Sequence, residues 1–156
     1  MAAQVTRTAH ETLALAGTGP SPRSRLGDAA MIQRLIESLQ ALAAPADVQL
    51  SRFPDFVVKG EELALDFDDA FMLVRDCPQL LLTSAQLDAL VEIDRALAAI
   101  SGARHAELWT EAALRESARW DAVRTLARAA LITLNTPVQD PDPPRTVYVR
   151  GDEPGA

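Results

Sequence analysis

Apolar residues recur at spacings of three and four through the middle of the chain, and that rhythm is absent at both ends. Met31, Ile32, Leu35, Ile36, Leu39 and Leu42 form one continuous stripe. The stripe predicts a helix from about Asp28 to Ala44, with Asp28 as N-cap and Pro45 as stop. A short helical turn is expected over Asp47–Arg52, followed by an apolar link through Phe53, Phe56, Val57 and Val58. The second main helix reads as Gly60–Asp76, ended by Cys77-Pro78 because the residue before proline avoids the α region.

The third helix has the strongest start signal. Thr83 and Gln86 have capping-box spacing, and Leu82 and Leu87 occupy the staple positions around it. Leu87, Leu90, Val91, Leu97 and Ile100 supply its core face, with Gly102 following at C′. Glu107–Glu116 is expected to form short turns around Leu108, Trp109 and Leu114. A last helix begins after Ser117, runs to Asn135-Thr136-Pro137, and buries Trp120, Val123, Ala127, Ala130, Leu131 and Leu134. No strand-like alternation of useful length competes with this pattern, and no internal repeat is present. The fold class is therefore all-α, a small helical bundle of about five helices.

Residues 1–27 contain GTGPSPRSRLG and no sustained apolar period, so they read as a disordered N-terminal extension. Residues 137–156 carry prolines at 137, 141, 143, 144 and 154 with acids between them, and only Val147–Val149 offers anything to bury. That segment reads as a disordered Pro/acid-rich tail. Residues 28–136 are left as one helical domain, within the size that a single core supports.

Charge changes the picture more than composition does. The chain carries a formal charge of −7, and residues 28–136 alone hold ten bases and seventeen acids. Such a field repels nucleic acid and anionic membrane and attracts basic proteins. The single cysteine, Cys77, excludes an intrachain disulfide. With no apolar run of membrane-spanning length, a cytoplasmic protein is expected.

The densest charge lies on the second main helix. Glu61, Glu62, Asp66, Asp68 and Asp69 precede its first base, Arg75. At 100° per residue Leu63, Phe67, Ala70, Phe71 and Val74 share one arc. Leu65 and Met72 stand opposite, flanked by Glu61, Asp68, Asp69 and Asp76. An apolar centre within a charged rim is the usual composition of a protein interface. The candidate partner-binding residues are therefore Glu61, Leu65, Asp68, Asp69, Met72 and Asp76, and the expected partner is a basic protein.

Catalytic readings lack their complements. Asp66-Phe67-Asp68-Asp69 has the letters of the DxDD acid motif of terpene cyclases, but this chain is too short for their double-barrel domains. Glu62, Asp66 and Asp69 share one stripe, yet no EF-hand glycine and terminal glutamate or Glu-x-x-His partner accompanies them. Cys77 lies at a helix C-terminus beside Asp76, which opposes thiolate activation, and projects near the core stripe as a small hydrophobe. His105 reads as a loop histidine with nothing to orient it. Arg115, Arg119, Arg124 and Arg128 alternate with Glu111, Glu116 and Asp121, as on a salt-bridged helix surface. The expectation is a non-enzyme with no metal and no cofactor.

In size, charge and helical class the chain resembles bacterial immunity proteins, whose acidic helices cover the basic active site of a toxin. A self-associating helical module, or a carboxylate- or metal-dependent enzyme built on Glu61–Asp76, are the alternatives.

Overall fold

The computed structural model describes residues 19, 21–144 and 146–151, and among them it contains helices and no strand. Six α-helices follow in order: α1 Pro22–Ala43, α2 Ala46–Ser51, α3 Lys59–Arg75, α4 Ser84–Ile100, α5 Glu111–Glu116 and α6 Ala118–Thr133. Two 3-10 segments, Pro78–Leu80 and Ala103–Trp109, complete them. An all-α bundle is what the apolar period predicts. No helix among the described residues is long and apolar enough to cross a membrane.

The chain divides into two compact units, Met1–Ala30 and Met31–Ala156. In the first, most of the expected N-terminal extension lies outside the described residues. Where that extension is described, Pro22–Gly27 is helical, so α1 begins earlier than Asp28. The local chemistry explains the earlier start: Pro22 supplies a pre-set φ for the first turn, and Ser21 Oγ accepts from the Ser24 amide at 3.3 Å. Arg23, Arg25 and Leu26 are good helix formers and carry the turn onward without an apolar stripe, which is why periodicity alone overlooks it.

Every buried apolar side chain among the described residues belongs to the second unit. Thr83 closes its capping box, its hydroxyl accepting from the Gln86 amide at 3.1 Å while Gln86 Oε1 accepts from the Thr83 amide at 2.9 Å. Gln86 Nε2 also donates to Thr133 O at 3.4 Å, which ties the start of α4 to the end of α6. These two helices form the most extensive pairing in the bundle. Leu90, Ile93, Leu97 and Ile100 of α4 meet Trp120, Val123, Ala127, Ala130 and Leu131 of α6 within one buried cluster. Ser117 caps α6 through the Arg119 amide at 3.1 Å. At the other end Asn135 turns left-handed at φ 54, and Thr136 N donates to Leu131 O at 2.9 Å. That is a Schellman ending with asparagine in the glycine position.

Two tryptophans seat α3. Trp109 and Trp120 meet edge to face, with ring centroids 5.4 Å apart and planes at 89°. Trp120 Nε1 donates to Leu108 O at 2.6 Å and Trp109 Nε1 to Ile100 O at 2.9 Å, so neither buried N–H is orphaned. Gly60, in the first turn of α3, lies directly over this pair. A Cβ built there would stand 3.0 Å from Trp120 Cζ2 and 3.3 Å from Trp109 Cε3. Glycine is required for close approach, at a helical position where alanine is ordinarily preferred.

A buried polar hub ties the remaining elements. Arg124 is 4 % exposed, which differs from the surface position that its charge pattern predicts. Its guanidinium donates to Gln49 Oε1 at 3.1 and 3.0 Å, to Asp121 Oδ1 at 2.7 Å and to Leu114 O. Gln49 Nε2 in turn donates to Ala41 O and Leu42 O, each at 3.0 Å, and Arg128 Nε reaches Ala43 O at 3.2 Å. The last carbonyls of α1, which have no helical partner of their own, are thereby satisfied from α2 and α6. The other arginines of the set stay outside: Arg115 lies 3.8 Å from Asp47, and Arg119 is exposed.

Beyond α6 the described tail forms neither helix nor strand, but Tyr148 is anchored. Its ring meets Phe53 edge to face at 5.8 Å, and its hydroxyl donates to Glu62 Oε2 at 3.0 Å. Arg52 Nη1 donates to Asp142 O, and Arg150 lies over the Phe56 ring at 5.9 Å.

Gly60→Ala is expected to lower the melting temperature through overpacking worth about 1–3 kcal/mol. At an open helical site the same change would raise stability by up to ~1 kcal/mol, so the sign alone tests the contact. Arg124→Met should cost about 2–4 kcal/mol in a denaturant melt, because the buried Gln49 Oε1 and Leu114 O lose their shared donor while the exposed Asp121 is left to solvent. A loss below about 1 kcal/mol would remove the hub from the structural account.

Candidate functional site

Helix α3 positions the candidate residues by burying the opposite arc. Leu63, Phe67, Ala70, Phe71 and Val74 are all in the core, as the stripe predicts. Phe67 and Phe71 stack with centroids 5.6 Å apart, and the burial of both rings in the core sets the rotation of the helix about its axis. With that rotation fixed, Glu61, Leu65, Asp68, Asp69, Met72 and Asp76 are all exposed. Leu65 retains 54 % of its surface and Met72 44 %, with Leu73 at 42 % beside them.

The exposed face is not flat. Glu61 and Leu65 form one wall of an open groove of about 830 Å³. Val57 and Val58 continue that wall, and Gly102, Ala103, Ala106 and Trp109 line it from the turn after α4. Gly102 adopts φ +99 and so bends the chain away from the end of α4. Asp69, Met72 and Asp76 belong to a second groove of about 590 Å³, shared with Met31, Arg34 and Leu73. Asp68 lines neither. The six residues therefore share one helix face but divide between two concavities, a separation that depends on loop geometry.

Cys77 lines the second groove and is half-buried, so it does not lie in the core. Its Sγ donates to Gln79 Oε1 at 3.2 Å. His105 sits at a kink within the 3-10 segment Ala103–Trp109, with φ −121, between helices as the sequence suggests.

Lys59 was not singled out by sequence, yet it is the buried charge of the larger groove. It is 6 % exposed, with Nζ 3.1 Å from Glu111 Oε1 and 3.3 Å from Asp55 Oδ1. Its signal in sequence is slight: a lone lysine four residues after an aspartate, in a segment that otherwise reads as apolar. The acids of the groove therefore outnumber its base, since Glu61 and Glu111 line it with Lys59 alone.

The Glu62–Asp66–Asp69 stripe is divided as well. Glu62 accepts from Tyr148, and Asp66 lies beneath the tail with Arg52, Arg34, Pro144 and Thr146 around a small polar cavity. Among the described residues no three His, Cys, Asp or Glu side chains gather as a metal-holding group. Burial lifts the Asp66 carboxyl above its ordinary value of 3.8; Arg52 and Arg34 oppose this, and Glu62 and Asp69 reinforce it. Burial, with the bond to Glu62, likewise pushes the Tyr148 phenol upward, so it remains a donor throughout the physiological range.

The chain matches no protein-family model, no curated protein and no solved structure. The reading of the site rests on its own geometry.

Asp66 provides a pH-dependent test. A carboxyl raised in the folded state gives stability that is fully present below its unfolded value and is lost as pH rises through the folded value. Asp66→Asn removes that loss. The variant should melt above wild type at pH 7, and the gap should close as pH falls below about 3.8. A lower melting temperature for Asp66→Asn at pH 7 would show that attraction to Arg52 outweighs burial.

Proposed function

We propose that the protein is an acidic, catalytically silent protein-binding protein whose partner is basic, and that in a bacterial host it acts as an immunity protein against a basic toxin or secreted effector. The observation that carries this reading is the outer face of α3. Leu65 and Met72 lie exposed on it with four acids around them, and Asp68 and Asp69 have no ion pair among the described residues. Dense unpaired carboxylates accelerate encounter with a cationic surface, and an apolar centre slows its release.

Self-association through the same face is disfavoured, since a two-fold contact sets a patch against its own copy and here opposes acid to acid. A carboxylate enzyme would draw on Glu62 and Asp66, which already hold Tyr148 and face Arg52. No observation favours either alternative over docking.

The test is capture of the products of neighbouring genes by the tagged protein, wild type against Asp68→Lys with Asp69→Lys. Both positions are exposed, so the double variant should fold normally and keep its melting temperature. Its affinity for a basic partner should fall by at least about tenfold, and the wild-type complex should weaken as salt is raised. A complex that survives the double reversal unchanged excludes this face as the interface.

A further inference from the structure

The larger groove supports a more specific statement, one that rests on the proposed docking function: we propose that it receives a cationic amphipathic peptide segment of the partner, with apolar side chains against Leu65, Val57 and Trp109 and a lysine or arginine at Glu61. Three features of the groove point to this occupant.

The first is its charge. Lys59 alone would attract an anion, but its ammonium is already held by Glu111 at 3.1 Å and Asp55 at 3.3 Å. Two acids, Glu61 on the rim and Glu111, line the groove beside this one base, whose charge Asp55 also offsets from outside it, so the groove repels an anionic ligand and favours a cation. Glu61 has no ion pair among the described residues, which leaves its carboxylate available at the mouth.

The second is its apolar lining. Val58 is 46 % exposed and Leu65 54 %, so the wall presented to an occupant is made of side chains that water now covers. The opposite wall is built from Gly102, Ala103 and Ala106, whose small side chains leave room for larger ones to enter. A purely ionic partner would leave this surface wet, whereas one with an apolar face buries it.

The third is its shape. A volume of about 830 Å³ open along one side suits several side chains of one segment entering together. The helix-in-groove mode of recognition uses that arrangement. The walls are also stiff. Trp109 is pinned by its bond to Ile100 O at 2.9 Å and by its contact with Trp120, so the groove exists before the partner arrives.

The test uses a short synthetic amphipathic helix with a leucine face and a lysine face, and a scrambled peptide of the same composition. Trp120 is fully buried, so a change in tryptophan fluorescence on titration reports mainly on Trp109. The amphipathic peptide should bind at least roughly tenfold more tightly than the scrambled one. Ala106→Arg, an exposed position on the groove wall, adds both bulk and positive charge and should weaken binding by a similar factor. Ala103→Arg serves the same purpose if the first variant melts early. Equal binding by the scrambled peptide, or by either groove variant that folds, would overturn the proposal.

Comparison with Asp68→Lys plus Asp69→Lys separates this inference from the reading beneath it, because neither residue of that pair lines this groove. Loss of binding in the charge-reversed pair with none in Ala106→Arg overturns the groove and retains the outer face. No loss in any variant overturns both.

Discussion

A single buried guanidinium holds the bundle in register. Arg124 brings together α2 through Gln49, α5 through the Leu114 carbonyl, and α6 through its own backbone and Asp121. Gln49 extends the same network to the last carbonyls of α1. Burying such a charge is costly, and burial pulls Arg124 below the ordinary arginine value against the opposing pull of Asp121. The cost is tolerated because nearly every donor finds an acceptor, and several of those acceptors are helix ends that need donors in any case. The network is directional where the surrounding leucines are not. An apolar core of Leu, Ile and Ala tolerates sliding, and a fork of hydrogen bonds to three elements does not.

The indole pair does for α3 what the guanidinium does for α1. Gly60 admits Trp109 and Trp120 to the start of the helix, and the burial of Phe67 and Phe71, about two and three turns further on, fixes its rotation. Tyr148 then closes the flank by bonding Glu62. Once these contacts are made, the outward direction of Leu65 and Met72 is no longer adjustable. Their exposure follows from a well-fixed core, and both grooves are bounded by side chains that the core holds in place.

Most local signals were legible in the sequence and long-range ones were not; the Ser21–Pro22 start of α1 is the local signal that periodicity hid. Thr83 with Gln86, Ser117 as N-cap and the left-handed Asn135 each act within a few residues, and each ends or begins a helix where the sequence says it should. The inward stripe of α3 was legible for the same reason, since its period needs no knowledge of what it packs against. Arg124 was misjudged because charge interleaving on one helix does not reveal a glutamine 75 residues away. Gly60 gave no warning either, since its requirement comes from two indoles on other elements. Of the candidate site, the exposed acids and the pair Leu65 and Met72 were readable from helical geometry. The groove between Leu65 and Ala106 was not, because it depends on how Gly102 turns the chain after α4.

The positions of the acids on α3 bear on why that face exists. Glu61 and Glu62 stand in the first turn, where carboxylates oppose the positive end of the helix dipole and support the helix. Asp68 and Asp69 lie in the interior, where aspartate is a poor helix former, and no base stands four residues on from either. Asp76 is at the C-cap, where a negative charge meets the negative end of the dipole, and only Arg75 at 3.5 Å relieves it. Helix chemistry thus accounts for the first two acids and counts against the last three. Among the described residues no hydrogen bond or ion pair engages Asp68 or Asp69, so the described fold supplies no reason for them. A cationic partner would supply one, because its charges would turn each of these small local costs into an attraction. Asp68 and Asp69, for which helix chemistry gives no reason, are the acids whose reversal tests the docking reading.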